Sequence, residues 1–241
     1  MKFIRRLLLF IFVIILIVGS VLYLNGNELY KEKIAETSLE NKVSSIRENS
    51  NFVKLNSLPS YYKDAVVSVE DRRFYSHGTI DFIALARATF SNIKQKDFKE
   101  GGSTITQQTA KNLYLMEERD ISNRKVSEFL IGRDLEKKYN KDEILELYVN
   151  TIYFGDGYYG IQEAAKGYFN KDAKDLTLYE ATMLAGVPNA PSLYAPTVNF
   201  DLTKSRQKKV VSSMVETGSL SQEEANKLYD QIDTTTHFTV K

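Results

Sequence analysis

Two adjacent carboxylates stand where an apolar segment of the sequence ends. Glu70 and Asp71 follow the mostly apolar segment 65–69, and three basic or titratable residues come next: Arg72, Arg73 and His77. A carboxylate at the rim of a core is partly desolvated, which raises its pKa and makes it a better base. The pattern therefore suits a general base oriented by its neighbours. On spacing alone, a surface cluster of salt bridges is the more frequent explanation.

A second candidate site combines glycines with hydroxyl and amide side chains. The segment Gly101–Gln108 (GGSTITQQ) predicts a loop that enters a helix, and Lys111 follows one turn later. Helix N-termini present free N–H groups and a positive dipole, which suit a phosphate. Thr104, Gln108 and Lys111 would share one helix face, flanked by Gln107. The segment is interpreted as a sugar or diphosphate site, with a plain capped helix as the alternative; the missing Gly-Lys-Ser/Thr pattern excludes a Walker loop.

A third candidate site is cationic. Arg119 precedes a cluster in which Arg124 and Lys125 are followed by Glu128. Arg124 and Glu128 are four residues apart and could simply pair on a helix, which contributes about 0.3–0.5 kcal/mol when exposed. In the functional interpretation, the cations converge on an anionic leaving group while Glu128 orients them or holds a divalent ion. Spacing does not separate the two.

Composition restricts the other possibilities. The 241 residues contain no cysteine, which excludes disulfides, thiolate metal sites and a cysteine nucleophile. The net charge of +1 becomes −2 once the three N-terminal cations Lys2, Arg5 and Arg6 are set aside. The main domain is therefore not a basic nucleic-acid-binding surface, and any anion must be held by a local cation cluster.

The N-terminal region predicts a membrane anchor. The uncharged segment Leu7–Leu24 would be about 27 Å long as a helix, close to the roughly 30 Å of a hydrocarbon core. A cleaved signal peptide is the main alternative, but its apolar part is normally shorter and no small-x-small cleavage pattern follows Leu24. The cations before Leu7 predict a cytoplasmic N-terminus and an external domain.

Helical periodicity dominates the rest of the chain. An amphipathic stripe begins at Ile144 and ends at the glycines 155 and 157, and further helices are predicted over Gly160–Phe169, Leu178–Val187 and Leu202–Thr217. The fold class is therefore mainly α. The segment Ile80–Ile93 is apolar with few charges, and two interpretations stay open: a core helix, or an apolar surface at the membrane interface that exposes Phe82, Ile83, Leu85, Ala86, Phe90 and Ile93.

Taken in order, these motifs resemble the peptidoglycan glycosyltransferases, family 51 of the glycosyltransferases. The resemblance runs from about residue 58 to about 214 and is carried by these segments: EDRRFYSH (70–77), GGSTITQQ (101–108) with Lys111-Asn112, RKVSE (124–128), KDEILELYVNTIYFG (141–155), GIQEAAKGYF (160–169) and LAGVPNAPSLYAP (184–196). It implies a mainly helical, lysozyme-like, two-lobed domain with the active site in the cleft between the lobes.

The resemblance also implies roles for individual residues. Glu70 would be the general base that deprotonates the acceptor hydroxyl, and Glu128 the second important glutamate. Asp71 and His77 would shape the site. The remaining residues would bind substrate: Ser103, Thr104, Gln107 and Gln108 along the cleft, and Lys111, Arg119, Arg124 and Lys125 on the donor diphosphate. A divalent ion, Mg²⁺ or Mn²⁺, is expected, with Glu128 as a candidate ligand, and no organic cofactor.

The implied reaction polymerises lipid II, with a lipid-linked glycan chain as donor, into β-1,4-linked strands and releases undecaprenyl diphosphate. The expected division is 1–6 cytoplasmic, 7–24 transmembrane, 25–57 stalk, 58–217 glycosyltransferase domain and 218–241 C-terminal helix and polar tail. A monofunctional, inverting enzyme of the cell membrane is expected, in contact with membrane lipid and with other cell-wall proteins as further partners. The alternatives are a lysozyme-like lytic glycosidase and a non-catalytic anchored scaffold.

One position departs from the family pattern. The family usually has glycine two residues after the histidine, whereas Thr79 occupies that place and Gly78 precedes it. The departure leaves the roles of Glu70 and Asp71 unchanged. It questions the backbone shape after His77.

Overall fold

The structure, a computed structural model, describes residues 2–95 and 102–238, with side chains for 3–88 and 102–238. Over these residues the chain is helical, with no strand and one isolated bridge between Tyr153 and Tyr159. The helices of the described residues are α1 (Lys2–Glu36), α2 (Leu39–Arg47), α3 (Ser60–Glu70), α4 (Phe82–Gln95), α5 (Ile105–Tyr114), α6 (Ile121–Lys138), α7 (Lys141–Thr151), α8 (Ile161–Phe169), α9 (Leu178–Gly186), α10 (Pro191–Tyr194), α11 (Phe200–Glu216) and α12 (Gln222–Thr234).

The helices form two lobes, as expected. In one lobe α3 packs between α9 and α11, and α12 covers α11. In the other, α5 packs on α6, and the outer part of α1 packs on the opposite side of α6. Helix α7 contacts α5 and α8 and is buried nearly all round, from Ile144 to Val149. It therefore forms the floor beneath α5.

Several helices begin where the sequence places a capping box. In each, a hydroxyl or amide side chain accepts from the third backbone N–H, and the Gln or Glu at that position reaches back. The four pairs are Thr104 with Gln107, Asn140 with Glu143, Thr177 with Glu180, and Ser221 with Glu224. These caps fix the start of α5, which carries one of the candidate motifs.

Helix α1 extends twelve residues beyond the apolar run. Within the described residues, Phe3–Glu36 is the one helix long and apolar enough to cross a membrane, and its most apolar 18-residue window has a mean hydropathy of 3.1. The predicted stalk 25–57 is largely folded structure, because Leu39 and Val43 of α2 are buried in the core. The i, i+4 spacing of these two residues places them on one face of α2.

The start of α4 is an exposed apolar surface. Phe82 is 74% exposed and Ile83 65%, while Ala88, further along, is buried. The interpretation of this segment as a core helix is therefore wrong at its N-terminal end. The side chains of Phe90 and Ile93 lie outside the described residues.

Gly132 of α6 explains how the fold accommodates Thr79. Thr79 is buried, its carbonyl accepts from the Thr104 hydroxyl at 2.7 Å, and its methyl lies where a Cβ on Gly132 would come within 2.7 Å. The missing side chain on α6 thus provides the volume that threonine needs in place of glycine. The turn after His77 is held in place by this contact rather than displaced by it.

We expect Gly132→Ala to lower the unfolding temperature, because overpacking a tight core contact costs about 1–3 kcal/mol. Adding Thr79→Gly to that variant removes the clashing methyl and should recover much of the loss. Thermal unfolding of the four proteins in detergent forms a double-mutant cycle. Strictly additive effects would contradict the steric coupling.

Candidate active site

Glu70 ends α3 in the cleft between the lobes, with only 9% of its side chain exposed. Its Oε2 accepts from the Gln108 amide at 2.9 Å, and its Oε1 accepts from Arg206 Nη2 at 3.2 Å. Gln108 itself accepts from the buried Tyr148 hydroxyl at 3.5 Å. Helices α3, α5, α7 and α11 therefore all contribute to one carboxylate, which is not the surface cluster that spacing alone favoured.

Arg206 lies in none of the three sequence motifs. Besides Glu70, its Nε donates to the Gly186 carbonyl at 3.2 Å, and its guanidinium lies over the Tyr194 ring. The available signal was its position, since Arg206 falls at i+3 from Thr203 and i−4 from Val210, on the buried face of α11. A charged residue on such a face is rarely buried without a partner.

Asp71 fixes the start of α5 beside Glu70. Its Oδ2 accepts from the backbone N–H of Ile105 at 3.0 Å, and its Oδ1 lies 2.7 Å from His77 Nε2. The other ring nitrogen of His77 donates to the Gly78 carbonyl, so one hydrogen is shared between Asp71 and His77. Burial raises the pKa of Asp71, while His77 and the Ile105 N–H act in the opposite direction. Both residues hold the backbone beside Glu70 through these contacts.

The two arginines of the first motif do not orient the carboxylate pair. Arg72 pairs with Glu216 at 2.6 Å, and Arg73 binds Asp81 through Nε at 3.0 Å. The Arg73 guanidinium lowers the pKa of Asp81 to about 2. The expectation that these cations act on Glu70 and Asp71 is therefore wrong.

The start of α5 divides its polar residues between two tasks. Thr104 is buried, caps α5 and donates to the Thr79 carbonyl, while the Gln107 side chain completes the capping box. Gln108 faces Glu70, and the Ser103 hydroxyl accepts from Lys125 at 3.0 Å. Thr104 and Gln107 thus hold the loop in shape, and Ser103 and Gln108 face the charged groups.

The third motif forms a charged cluster around a buried carboxylate. Glu128 is 1% exposed, and its Oε2 accepts from Lys125 at 2.6 Å. Its Oε1 lies 3.2 Å from Arg124 Nε, but the geometry does not make a hydrogen bond, so both atoms keep unused bonding capacity. Arg119 is exposed, and no described contact links it to this cluster.

Lys111 connects the two parts of the cleft. Burial lowers the pKa of its ammonium group, the positive charges of Arg124 and Lys125 lower it further, and Glu128 and Glu70 oppose this shift. One lysine therefore senses both the Glu70 side and the Glu128 side. A desolvated cation with like-charged neighbours is suited to binding an anion that relieves their repulsion.

Neither candidate set of side chains fits a preformed metal site. Asp71, His77 and Asp81 bring ligand-type atoms within 4.8 Å of one another. These atoms are engaged, since Asp81 accepts from Arg73 and the Ala84 N–H, and Asp71 accepts from the Ile105 N–H. At Glu128, the sequence candidate, the adjacent positive charges oppose a cation.

The cleft places a partly buried carboxylate at one side and a lysine–arginine cluster at the other. The carboxylate can accept a proton, and the cluster can stabilise negative charge that develops on a leaving group. Together with the long apolar helix, these features define a class: helical, two-lobed group-transfer proteins that fit membrane anchoring.

The family follows from comparison with known sequences. The family described as Transglycosylase matches residues 36–215, three quarters of the chain. The chain belongs to this family, the peptidoglycan glycosyltransferases that its motifs resemble. The match begins before residue 58, in agreement with the burial of α2.

Individual relatives are longer proteins. Penicillin-binding protein 4 of Bacillus subtilis is 44% identical over 194 residues, 80% of this chain and 31% of the relative. Penicillin-binding protein 1A of Neisseria flavescens is 43% identical over 202 residues, 82% of this chain and 25% of the relative. The crystal structure of penicillin-binding protein 1A from Haemophilus influenzae aligns with 43% of this chain and 16% of its own, at 35% identity and a TM-score of 0.38. The chain thus spans less than a third of the length of these curated relatives.

The lowered pKa of Lys111 predicts how anion binding depends on pH. Lys111 loses its charge at a lower pH than an ordinary lysine. As the pH rises, affinity for a diphosphate should therefore begin to fall at a lower pH than it would with an ordinary lysine. Lys111→Arg stays protonated and should bind methylenediphosphonate to higher pH. Calorimetric titration of both proteins across the alkaline range measures this. The ionisation of the ligand itself is common to both, so identical pH profiles would contradict the role of Lys111.

Proposed function

We propose that the chain is a peptidoglycan glycosyltransferase that polymerises lipid II into β-1,4-linked glycan strands and releases undecaprenyl diphosphate. The observation that carries the proposal is the geometry of α5, on which Gln108 holds Glu70 and Lys111, one turn further along, is desolvated beside the Glu128 cluster. The proposed reaction needs a base and a diphosphate-binding site that lie within the length of one substrate molecule. Membership of the transglycosylase family supports the same reaction.

In the proposed reaction Glu70 is the general base. Its carboxylate takes the proton of the acceptor 4-hydroxyl while that oxygen forms a bond to the anomeric carbon of the donor. The bond from the anomeric carbon to the diphosphate oxygen breaks, and the electron pair leaves with the diphosphate. The displacement inverts the anomeric centre and gives a β-1,4 link. Gln108 and Arg206 hold both carboxylate oxygens, so the base is oriented before the acceptor arrives.

The cationic cluster serves the leaving group. Arg124 Nε is buried and lacks a hydrogen-bond acceptor in good geometry, and Lys111 is desolvated. Lys125 is held by Ser103 and Glu128. A diphosphate entering here would gain charge-assisted hydrogen bonds from groups that are already positioned. Glu128 acts as the organiser of these cations, not as a proton donor.

A divalent ion has no step in this scheme. Mg²⁺ or Mn²⁺ would enter with the substrate diphosphate and supply further positive charge to it, since the described side chains do not form a cage for it.

The environment of Glu70 disfavours a lytic glycosidase. A glycosidase must protonate a poor leaving group and needs a carboxylic acid beside the scissile oxygen. Both oxygens of Glu70 instead accept hydrogen bonds, one of them from an arginine. A sugar diphosphate leaves as a stable anion, for which the cation cluster is sufficient. The engaged base also argues against a non-catalytic scaffold.

We further propose that the N-terminus is cytoplasmic and that α1 is a single-pass anchor with the catalytic domain outside. Lys2, Arg5 and Arg6 precede the apolar run and support this orientation. The lipid-linked substrate would then share a membrane with the enzyme. Other cell-wall synthesis proteins are the expected partners.

Glu70→Gln should lower lipid II polymerisation by at least about a hundredfold, because positioned base catalysis contributes about 10²–10⁴-fold. The amide keeps the shape of the site, so the protein should stay folded, with a lower unfolding temperature because Arg206 loses its partner charge. The matched control is Glu117→Gln at an exposed glutamate. Moenomycin, the phosphoglycolipid inhibitor of this family, should abolish the activity of the parent. Near-normal polymerisation by Glu70→Gln would overturn the proposal. So would a parent protein that forms product from finished cell wall but not from lipid II.

Arg206→Gln should reduce turnover by about tenfold or more, because Glu70 loses the cation that fixes its orientation. The KM for the lipid-linked substrates should change much less, since the described contacts of Arg206 are to Glu70, Gly186 and Tyr194 and not to the cation cluster. Lys209→Gln, on the exposed face of the same helix, is the control. Steady-state kinetics on lipid II separate kcat from KM. A rise in KM at constant kcat would contradict this positioning role.

A further inference from the structure

The anchor helix and the cation cluster are joined through α6. On one side of α6, Ser127 donates a buried hydrogen bond of 2.7 Å to the Gly26 carbonyl of α1. One helical turn further along α1, the Tyr30 hydroxyl donates to the Asp134 carboxylate. We call these four residues the anchor joint. The adjacent side of the same α6 turn carries Arg124 and Glu128.

The joint depends on the absence of a side chain at Gly26. A Cβ there would lie 2.4 Å from Val126 Cβ and 3.0 Å from the Asn123 carbonyl oxygen. Real side chains do not approach this closely, so any larger residue would push α1 away from α6. Gly19, in the same helix, has no atom within 4 Å of its Cβ position. The close approach is therefore specific to Gly26.

The joint lies at a defined height above the membrane core. The apolar run ends at Leu24, and Gly26 is only about 3 Å further along the helix. The two helices run in the same sense, because Gly26 meets Ser127 while the later Tyr30 meets Asp134. The N-terminus of α6 therefore points toward the membrane. Ile121, the first residue of α6, is 63% exposed at that end, as expected for a side chain that reaches apolar surroundings.

We infer that the anchor joint is a positioning device that holds the cation cluster at the level of the membrane phosphate layer. A lipid-borne diphosphate would then reach Arg124 and Lys125 without its tail leaving the bilayer. The inference rests on the proposed function for the identity of the substrate. The height of α6 itself is a physical property that can be measured without any activity.

The height of α6 can be measured by spin labelling. Because the chain contains no cysteine, a single introduced cysteine is labelled alone. Single cysteines replace Ile121 and, at the exposed outer end of α6, Lys137 in the full-length protein in phosphatidylglycerol–phosphatidylcholine vesicles. The ratio of the spin label's accessibility to oxygen and to a water-soluble nickel chelate reports the depth of the label in the membrane. We expect the label at 121 to lie in the interface and the label at 137 to lie in water. Equal water exposure at both sites would refute the inference, whatever the enzyme does.

The functional test compares Gly26→Leu with Gly19→Leu. On lipid II in vesicles, Gly26→Leu should raise KM by about tenfold or more, because the cation cluster is displaced from the level of the lipid-borne diphosphate. A tenfold change corresponds to about 1.4 kcal/mol of binding free energy. On a short-chain, water-soluble lipid II analogue in detergent, its kcat and KM should stay within about twofold of the parent. Gly19→Leu should match the parent on both substrates. Equal losses on both substrates would show a structural role alone and would overturn the inference, as would no loss on either.

A milder variant covers the case in which leucine damages folding. Ser127→Ala combined with Tyr30→Phe removes both hydrogen bonds of the joint and adds no bulk. It should show the same selective rise of KM on membrane-bound substrate, and the label at 121 should become more accessible to the nickel chelate. Unchanged kinetics and depth in this variant would refute the joint. If the unmodified protein is inactive on both substrates, that result counts against the proposed function instead.

Discussion

The Glu70 carboxylate joins the two lobes at the cleft, because Arg206 of its own lobe holds one oxygen and Gln108 of the other lobe holds the second. The ion pair joins residues 136 positions apart and holds the end of α3 against the middle of α11, where the Gln108 side chain of α5 meets the same carboxylate. Removing one partner from a buried pair leaves an uncompensated charge, which costs about 3–5 kcal/mol. The relative placement of these helices is therefore tied to the charge state of the proposed base.

Glu128 is a further buried carboxylate of the cleft, and its neighbours are arranged differently from those of Glu70. Glu70 has one cation and one neutral amide, whereas Glu128 has Lys125 and Arg124, with Lys111 near enough to be influenced by its charge. The excess of positive charge around Glu128 is satisfied only when another anion enters. Under the proposed function, a glutamate beside one cation acts as the base, and a glutamate beside several cations organises the leaving-group site.

The parts of this site that lie in short motifs could be predicted from the sequence, and those that depend on tertiary packing could not. Glu70, Gln108 and Glu128 were identified because each lies in a local pattern. Arg206 was not, since its partner is remote in sequence and only its place on the buried face of α11 gives a signal. Thr104 and Gln107 were assigned to the substrate cleft by the resemblance, and in the structure Thr104 Oγ1 and Gln107 Oε1 also cap α5 by accepting backbone N–H groups. The mainly helical class followed from periodicity, which is local.

The length of α1 shows why hydropathy described the anchor incompletely. The apolar run stops at Leu24, but the helix continues to Glu36 because residues 28–33 are mostly strong helix formers. If these last twelve residues were a flexible linker, the domain could move by about 20 Å relative to the membrane. The polar headgroup region on each side of a bilayer is only about 5–8 Å thick. A continuous helix fixed to α6 at Gly26 removes that freedom, and a cation cluster can then remain within a layer thinner than the domain itself.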